Sequence, residues 1–399
     1  MSLDVGRVRS AFPALGDGTA YFDGPGGSQV PEVVARAVAD TLVGGLANRG
    51  SATRAEQRAD AVVVGARQAM ADLLGTRPDG IVFGRSMTQL TYDLARTLST
   101  RWAAGDEVVV TRLDHDANIR PWVQAAERVG ATVRWAAFDP ASGELPVDAV
   151  SELLTGRTRL VAVTGASNLL GTRPDVPAVA AAAHRAGALV HLDAVHLTPH
   201  APVDTAALGA DLVACSPYKF FGPHHGVLSA NPALLADLWP DKLLASTNAV
   251  PERFELGTLP YELLAGTTAA VDFVADLAPA GGDRRARVLG GMALVEAHEE
   301  RLFARLLAGL DDIDGVTLHG RAARRTPTAC FSVRGRSPRE VHGLLAARGV
   351  NAPGGTFYAL EASRWLGLGD TGAVRAGLAP YTDGEDVDRL LDAVGEACR

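Results

Sequence analysis

The 399-residue sequence lacks the features that mark several classes of protein. Its three cysteines, Cys215, Cys330 and Cys398, have no Cys-x-x-Cys or metal-type spacing, so we expect neither a disulfide scaffold nor a metal site. The first residues lack the apolar core of a signal peptide, and no apolar run reaches membrane-spanning length. The formal net charge of −8, with no Lys/Arg-rich run, argues against a nucleic-acid partner. We therefore expect a cytoplasmic protein that binds neither membranes nor nucleic acids.

The sequence does contain an alternation of short β-rich runs and longer alanine-rich stretches. Strands are predicted over 81–84, 107–111, 132–138, 159–165, 188–193, 211–216 and 226–230. Helices are predicted between them over 88–103, 119–130, 146–155 and 175–186. Strands separated by helices predict an α/β fold whose mainly parallel sheet is covered on both faces.

A chain of this length favours two domains. The stretch APAGGDRRARVLGG (278–291) is a candidate hinge between them. Beyond it, elements of a smaller α+β unit are predicted over 292–309, 315–320, 329–335, 338–348, 373–380 and from about Asp383. We expect a large domain over 21–280 and a small C-terminal domain over 281–399, with residues 1–20 packing near the small domain.

One lysine has an unusual place in this pattern. In DLVACSPYKFFGPHHG (211–226), Lys219 lies in a loop at the carboxyl end of a predicted buried strand, where open α/β sheets bind their ligands. Taken alone, this position favours an exposed surface lysine, since loops are mostly exposed. Asp193 ends the preceding strand and His196 follows three residues later. Taken alone, Asp193 is compatible with a turn or helix cap, and His196 with a core histidine.

Together, Asp193, His196 and the run S-P-Y-K (216–219) before Gly-Pro resemble the lysine segment of class V aminotransferases and cysteine desulfurases. The resemblance implies the α/β architecture of fold type I enzymes and pyridoxal 5′-phosphate (PLP) as the cofactor. Lys219 would condense with the cofactor aldehyde and then act as a base, because a partly desolvated lysine loses its proton readily. Asp193 would keep the pyridine nitrogen protonated, and His196 would hydrogen-bond the cofactor's 3′-oxygen.

An upstream segment, FGRSMTQLTYDLA (83–95), resembles the strand–turn–helix with which the family holds the cofactor phosphate. Thr88 and Gln89 would supply a hydroxyl and backbone N–H groups at a helix N-terminus, which favours anions. Ser216, at the start of the lysine run, is a further cofactor contact implied by the resemblance.

Two loops after the next strands carry further matches. TRLDHDANIRPW (111–122) resembles the family's Glu-His-x-x-Asn, with Asp114 in place of Glu, so His115 would stack on the pyridine ring. GASNLLGT (165–172) resembles Ser-Asn-x-x-Gly-Thr, so Asn168 would reach the cofactor oxygen or the substrate carboxylate.

Two later segments extend the resemblance to roughly residues 20–395. RFELGTLP (253–260) resembles Phe-Glu-x-Gly-Thr-Pro, which implies a homodimer in which Thr258 reaches the phosphate of the neighbouring subunit. GAVRAGLAPYTDGEDVDRL (372–390) resembles the closing Val-Arg-x-Ser segment, so Arg375 would grip the α-carboxylate of an amino-acid substrate as a bidentate fork. The alternative for this arginine is an ion pair with a nearby acid, namely Asp383, Glu385 or Asp386.

The sequence departs from cysteine desulfurases at one important place. Their mobile cysteine, which takes sulfur as a persulfide, lies on a loop before the carboxylate-binding arginine, but here NAPGGTFYALEASRW (351–365) has no cysteine. Cys215 and Cys330 fall in predicted strands and are interpreted as buried structural residues. Tyr218 stands where desulfurases carry histidine. We therefore expect no persulfide chemistry.

Two further features leave their roles open. The pair His224-His225 is expected to line the site or to be hydrated rather than to bind a metal, since no His-Glu-x-x-His or comparable set is present. The segment GPGG (24–27) is expected near the substrate, because residues without side chains allow close backbone approach.

The first functional hypothesis is a PLP-dependent β-elimination lyase that breaks a C–S bond in an α-amino acid. The residues expected to take part in catalysis are Lys219, Asp193, His115 and His196. An aminotransferase, an epimerase or another class V biosynthetic reaction remains an alternative, because these reactions branch from one carbanion. A non-catalytic sulfur-carrier partner that has kept the fold is the third hypothesis.

Overall fold

The computed structural model describes residues 2–399. The strands are β1 Ala20–Tyr21, β2 Ile81–Gly84, β3 Glu107–Thr111, β4 Thr132–Ala136, β5 Thr158–Thr164, β6 Leu189–Asp193, β7 Leu212–Cys215, β8 Gly226–Ala230, β9 Val316–His319, β10 Thr328–Val333, β11 Val350–Asn351, β12 Gly354–Gly355 and β13 Ala373–Gly377. The helices are α1 Val5–Ser10, α2 Glu32–Val43, α3 Arg54–Leu74, α4 Met87–Ser99, α5 Arg120–Val129, α6 Val147–Ser151, α7 Val176–Arg185, α8 Thr205–Leu208, α9 Pro232–Asp237, α10 Tyr261–Ala275, α11 Arg284–Asp311, α12 Pro338–Ala346, α13 Leu360–Trp365 and α14 Gly384–Ala397.

Seven strands form the central sheet in the order β2-β8-β7-β6-β5-β3-β4. Strands β4, β3, β5, β6 and β7 pair in parallel, whereas β8 runs antiparallel to both of its neighbours. The predicted α/β fold with a mainly parallel sheet is therefore confirmed. All seven strands predicted from the sequence are present, each ending within two residues of its predicted bounds.

The sheet is apolar on both faces because helices cover both sides. Along β3, Val109 lies in the apolar cluster that also contains Val161 and Val190. Its neighbours Val108 and Val110 point the opposite way, into a second cluster. This alternation explains why the strands read as continuous apolar runs, as expected for a sheet buried on both faces.

The C-terminal part of the chain contains a separate four-stranded antiparallel sheet in the order β12-β13-β10-β9. The N-terminal strand β1 pairs in parallel with β11. Arg9 in α1 donates to the carbonyl of Tyr381 at 2.7 Å and to Asp386 at 2.6 Å. The N-terminal residues thus contact the C-terminal part, while the division into domains at 280/281 stays a prediction.

The candidate hinge over 278–291 is wrong in its second half, because α11 begins at Arg284. Asp283 caps this helix by accepting a hydrogen bond from the Ala286 N–H at 2.8 Å, an arrangement that favours helix initiation. Gly291 serves packing rather than bending, since a Cβ there would lie 2.1 Å from the carbonyl oxygen of Val274 in α10. The glycine allows the two helices to cross closely.

Within residues 2–399, no helix combines the length and the apolar composition needed to cross a membrane. The carboxyl ends of β3, β5, β6 and β7 lie along one edge of the sheet because these strands are parallel. A polar residue follows each of these four ends within three or four positions, and the functional site is built there. These residues are His115, Asn168, His196 and Lys219.

Candidate active site at the carboxyl edge of the sheet

A cavity of about 560 Å³ opens at this edge, within the size range typical of small-molecule sites. Eight of the ten predicted site residues line it: Thr88, His115, Asn168, Asp193, His196, Ser216, Lys219 and Arg375. Gln89 and Thr258 do not. The fold thus brings together residues that are up to 287 positions apart in the chain (375 − 88).

Lys219 ends a short 3₁₀ turn that follows β7. Its Nζ donates to the carbonyl oxygen of Pro25 at 2.5 Å and lies 4.8 Å from the ring centroid of Tyr218. Burial, assisted by the charge of Arg375, lowers the pKa of Lys219 to about 7, while Asp193 and Asp23 oppose this shift. A substantial fraction of the amine is therefore neutral at physiological pH, as a nucleophilic lysine requires.

Asp193 is the last residue of β6 and is buried at the base of the cavity. Its Oδ1 accepts one hydrogen bond, from the Val195 N–H at 2.9 Å. Burial raises the pKa of this carboxyl to about 6. Because Asp193 lines the cavity, a positively charged N–H donor bound there could pair with its carboxylate.

The two cavity histidines are both held neutral. The Nδ1 of His115 accepts from the Ala117 N–H at 3.0 Å, and burial together with Lys219 and Arg375 lowers its pKa to about 4. His196 is buried, and its pKa lies well below the ordinary value, mainly because burial disfavours the charged form. A neutral imidazole can stack on a ring or exchange hydrogen bonds without adding charge.

His196 is held by two threonines that the sequence analysis missed. Its Nε2 lies 3.0 Å from the hydroxyl of Thr326 and 2.9 Å from that of Thr328. Its Nδ1 has no hydrogen-bond partner in the described part of the chain. Both threonines belong to the C-terminal part, 130 or more residues away, and no local sequence signal connects them with His196.

Arg375 lies in β13, is buried, and faces the cavity. Its Nη1 donates to the carbonyl oxygen of Asn168 at 2.9 Å, while its Nε has no partner among the described residues. Burial lowers the pKa of the guanidinium to about 10. A buried guanidinium without an anion is costly, so the position favours binding of an anionic ligand.

The alternative ion pair for Arg375 is not formed in the structure. Asp383 and Asp386 both pair with Arg9, at 3.1 and 2.6 Å. Glu385 is exposed in the first turn of α14. Of the three acids that the sequence offered, none neutralises this arginine.

The N-terminus of α4 reaches the cavity through Ser86, Met87 and Thr88. Ser86 caps the helix by accepting from the Gln89 N–H at 3.1 Å, so the amide of Gln89 is already used within the helix. A Cβ on Gly226 would lie 2.3 Å from the Met87 nitrogen. Glycine at this position therefore lets the start of β8 pack directly against the helix N-terminus.

Asp114 takes the place of the family's Glu but does not line the cavity. It is fully buried and accepts from Asn118 Nδ2 at 2.6 Å, and Asn118 Oδ1 lies 2.7 Å from His191 Nδ1. Burial raises the pKa of this carboxyl well above its ordinary value. This buried network holds the loop that carries His115.

His224 and His225, which were expected to line the site or to be hydrated, both lie outside the cavity lining. His225 is buried and bonds the Thr267 hydroxyl at 2.6 Å, while His224 is exposed and stacks on Tyr218 with ring centroids 4.8 Å apart. Tyr218 itself does line the cavity. In the described chain, no group of His, Cys, Asp or Glu side chains could hold a metal ion.

No thiol of the described residues lines the cavity. Cys215 and Cys330 are buried in β7 and β10, and burial raises the pKa of both, that of Cys330 to about 12. Cys398 directly follows α14 near the C-terminus. These are the properties of inert thiols rather than of an activated nucleophile.

The Aminotransferase class-V family model matches residues 20–390. The chain belongs to the class V aminotransferase family. An uncharacterised protein of Mycobacterium tuberculosis is 36% identical over 99% of each chain, and a probable cysteine desulfurase of Mycobacterium leprae is 33% identical over 98% of this chain and 96% of that one. The crystal structure of the cysteine desulfurase CsdA from Escherichia coli has a TM-score of 0.87 and 28% identity, covering 100% of this chain and 99% of that one.

Membership of the class V family confirms the resemblance seen in the sequence and makes PLP the cofactor. The residues present fit this group. Asp193 can accept from a protonated pyridine nitrogen, Lys219 offers an amine of low pKa, and the α4 N-terminus can receive a phosphate. His196 Nδ1 and Asn168 Oδ1, which have no hydrogen-bond partner in residues 2–399, provide further polar contacts.

Lys219 should make the protein less stable when PLP is removed. Its pKa lies near 7 in the folded chain and near 10.5 when unfolded, so the unfolded state binds the proton more readily between these values. The resulting penalty is complete below pH 7 and disappears as the pH rises toward 10.5. Lys219→Met should therefore raise the thermal midpoint of the PLP-free protein at pH 6.5 by at least roughly 2–4 °C, since relief of even about 1 kcal/mol of this penalty has that effect.

The difference in thermal midpoint between Lys219→Met and wild type should be smaller at pH 10 than at pH 6.5, as measured by circular dichroism during heating. Lys242→Met, at the chain's other lysine, is the control and should show no such pH-dependent gain. A Lys219→Met protein that is no more stable than wild type at any pH would contradict the assigned environment of the amine.

Proposed function

We propose that this class V enzyme is a lyase that acts on an α-amino acid and expels its β-substituent through C–S bond cleavage. The observation that carries the proposal is the presence, in one cavity, of a lysine of low pKa and a buried arginine that forms no salt bridge among the described residues. The arginine suits a substrate carboxylate, and the lysine suits removal of a proton from the adjoining carbon.

In this proposal each residue has a defined task. Arg375 binds the α-carboxylate through two N–H groups and thereby orients the Cα–H bond toward Lys219. When bound, PLP supplies an electron sink for the pair released at Cα. Lys219 Nζ takes the Cα proton, a Cα=Cβ bond forms as the Cβ–S bond breaks with its electrons going to sulfur, and the proton on Nζ can then neutralise the departing thiolate. Water would hydrolyse the released 2-aminoacrylate to pyruvate and ammonia.

A persulfide route has no support in the cavity, because all three cysteines lie outside its lining.

Transamination or epimerisation would use the same Arg375 and Lys219. Transamination would place the proton on the cofactor carbon, and epimerisation would return it to the opposite face of Cα. A non-catalytic partner of a sulfur-transfer system would not require a buried lysine whose pKa is lowered to about 7. Cytoplasmic location stays a prediction.

Product analysis distinguishes these reactions. The holoenzyme is incubated with a panel of L-amino acids and L-cysteine S-conjugates, and pyruvate, sulfide or thiol, keto acid and D-isomer are measured. We expect pyruvate and thiol, at rates that stay within a few-fold when Cys215, Cys330 and Cys398 are all replaced by Ala or Ser. Keto acid or D-isomer as the main product would overturn elimination, and a hundredfold loss in the folded cysteine-free variant would restore the persulfide route.

Arg375→Lys tests the carboxylate contact. Lysine cannot reproduce the bidentate fork, so KM should rise and kcat fall, with the absorbance spectrum of bound PLP unchanged. Because a charged hydrogen bond contributes roughly 1.5–3 kcal/mol, kcat/KM should drop about ten- to a few-hundredfold. Arg364→Lys, at an exposed arginine paired with Asp370, is the control. Equal turnover of amines that lack a carboxylate would show that Arg375 has another role.

We further propose that the enzyme is a homodimer with shared sites. Thr258 is exposed and lies outside the cavity of its own chain. It belongs to a segment that exposes Trp239, Leu243, Leu244 and Leu256. Single exposed apolar residues are common, but several within one short segment favour an interface.

A heterodimer of Lys219→Ala and Thr258→Ala chains tests this arrangement. If each site combines Lys219 of one subunit with Thr258 of the other, one of the two sites contains both lesions and the other contains none. The heterodimer should then recover about half of the wild-type activity, well above either variant homodimer. Activity equal to the mean of the two homodimers, or an active monomer in sedimentation experiments, would refute the shared site.

A further inference from the structure

A strained turn forms one wall of the cavity. Phe357 and Tyr358 have φ angles of 54° and 58°, in the left-handed region that bulky residues rarely adopt. Both side chains line the cavity. Two consecutive non-glycine residues in this conformation persist only where surrounding groups enforce it, and such strain concentrates at functional sites.

Groups from the sheet edge hold the backbone of this turn. The Asp116 N–H donates to the Tyr358 carbonyl at 2.8 Å, and Asn168 Nδ2 donates to the Phe357 carbonyl at 2.9 Å. The Phe357 ring centroid lies 3.8 Å from the guanidinium carbon of Arg375. The turn therefore contacts the group proposed to bind the substrate carboxylate.

Helix α13, directly after the turn, is anchored to the same edge by Glu361. This carboxylate pairs with Arg112 at 3.0 Å and with Arg120 at 3.1 Å, and its side chain is 14% exposed. Arg112 also lies over the ring of Trp365, whose indole N–H donates to the Phe138 carbonyl at 2.8 Å. Two ion pairs and an indole hydrogen bond thus fix both ends of α13.

Apart from Arg375, the charged residues described beside this turn are paired with one another. Tyr92, Tyr218, Phe357 and Tyr358 line the cavity with aromatic rings. The charged residues at the same wall, Asp116 and Arg120, are paired with each other at 2.8 Å. A charged substrate side chain would have to break that pair or remain unpaired, whereas an apolar group would contact the rings.

We propose that the Phe357–Tyr358 turn is a fixed specificity wall that selects α-amino acids whose β-substituent ends in an uncharged apolar or aromatic group. Glu361 is the positioning residue that holds it. The substrate class rests on the proposed function, since it takes the cavity as an amino-acid site. Residues 351–365, where desulfurases carry a mobile cysteine, contain in this chain a turn that hydrogen bonds and ion pairs hold in one position.

The anchoring is tested by hydrogen–deuterium exchange of the holoenzyme, measured by mass spectrometry. Glu361→Gln should speed exchange in peptides that cover 354–366 by at least severalfold, because both ion pairs are lost. Asp370→Asn is the matched control, since it removes an exposed ion pair to Arg364 on the same helix and should leave these peptides unchanged. Unchanged exchange in Glu361→Gln would overturn the role of Glu361, and this readout needs no turnover.

The substrate class is tested with S-isobutyl-L-cysteine and S-carboxymethyl-L-cysteine, which are similar in size and differ in charge. Their half-saturation concentrations are read from the absorbance of bound PLP. Wild type should favour the isobutyl compound by at least about tenfold, and both Glu361→Gln and Tyr358→Ala should reduce the ratio severalfold. Tyr358 is 75% exposed, so its truncation should not prevent folding.

Equal half-saturation of wild type by the two compounds, or an unchanged ratio in both variants, would overturn the specificity wall. A response to neither compound, nor to any amino acid in the product panel, would instead overturn the proposed function and the substrate class with it. The exchange result would still decide whether Glu361 anchors the turn.

Discussion

Two basic side chains, Lys219 and Arg375, face one cavity without a salt-bridge partner in residues 2–399, and this constraint organises the site. Burial lowers the pKa of both side chains, and the charge of Arg375 lowers that of Lys219 further. Burial and these two basic groups also lower the pKa of His115 between them. Asp193 and Asp23 offset part of this charge from the floor and the N-terminal segment. A dianionic phosphate and a substrate carboxylate would supply the missing negative charge. The cavity is thus electrostatically prepared for the ligands of a class V enzyme.

The parallel sheet makes that arrangement possible. Each of β5, β6 and β7 ends at the same edge, so Asn168, Asp193 and Lys219 come together although they lie in different loops. Backbone carbonyl groups also hold the two basic side chains. Pro25, in the N-terminal GPGG segment, accepts from the lysine, and the carbonyl of Asn168 accepts from Arg375. Positioning therefore depends on segments from both ends of the chain.

The central sheet and the position of Lys219 could be predicted from the sequence because local patterns determine both. The strands are apolar runs, and Lys219 follows one of them in a motif with a recognisable order. The second half of the predicted hinge was wrong because the role of Gly291, which permits contact between α10 and α11, depends on packing that the local sequence does not show. His225 was misplaced because a histidine pair gives no signal of which face it occupies. The partners of His196, and the turn at Phe357, depend on contacts across more than 100 residues, which a local pattern does not encode.

The central claim is that Lys219 is the residue that holds PLP, and peptide mapping after borohydride reduction tests it directly. The chain has two lysines, Lys219 and Lys242, so the result is unambiguous. Lys242 donates to the Ser246 carbonyl at 2.8 Å and does not line the cavity. We predict that reduction of the yellow holoenzyme attaches the cofactor to Lys219 and that Lys219→Ala abolishes the adduct while Lys242→Ala does not. An adduct on Lys242, or none on either lysine, would contradict the account.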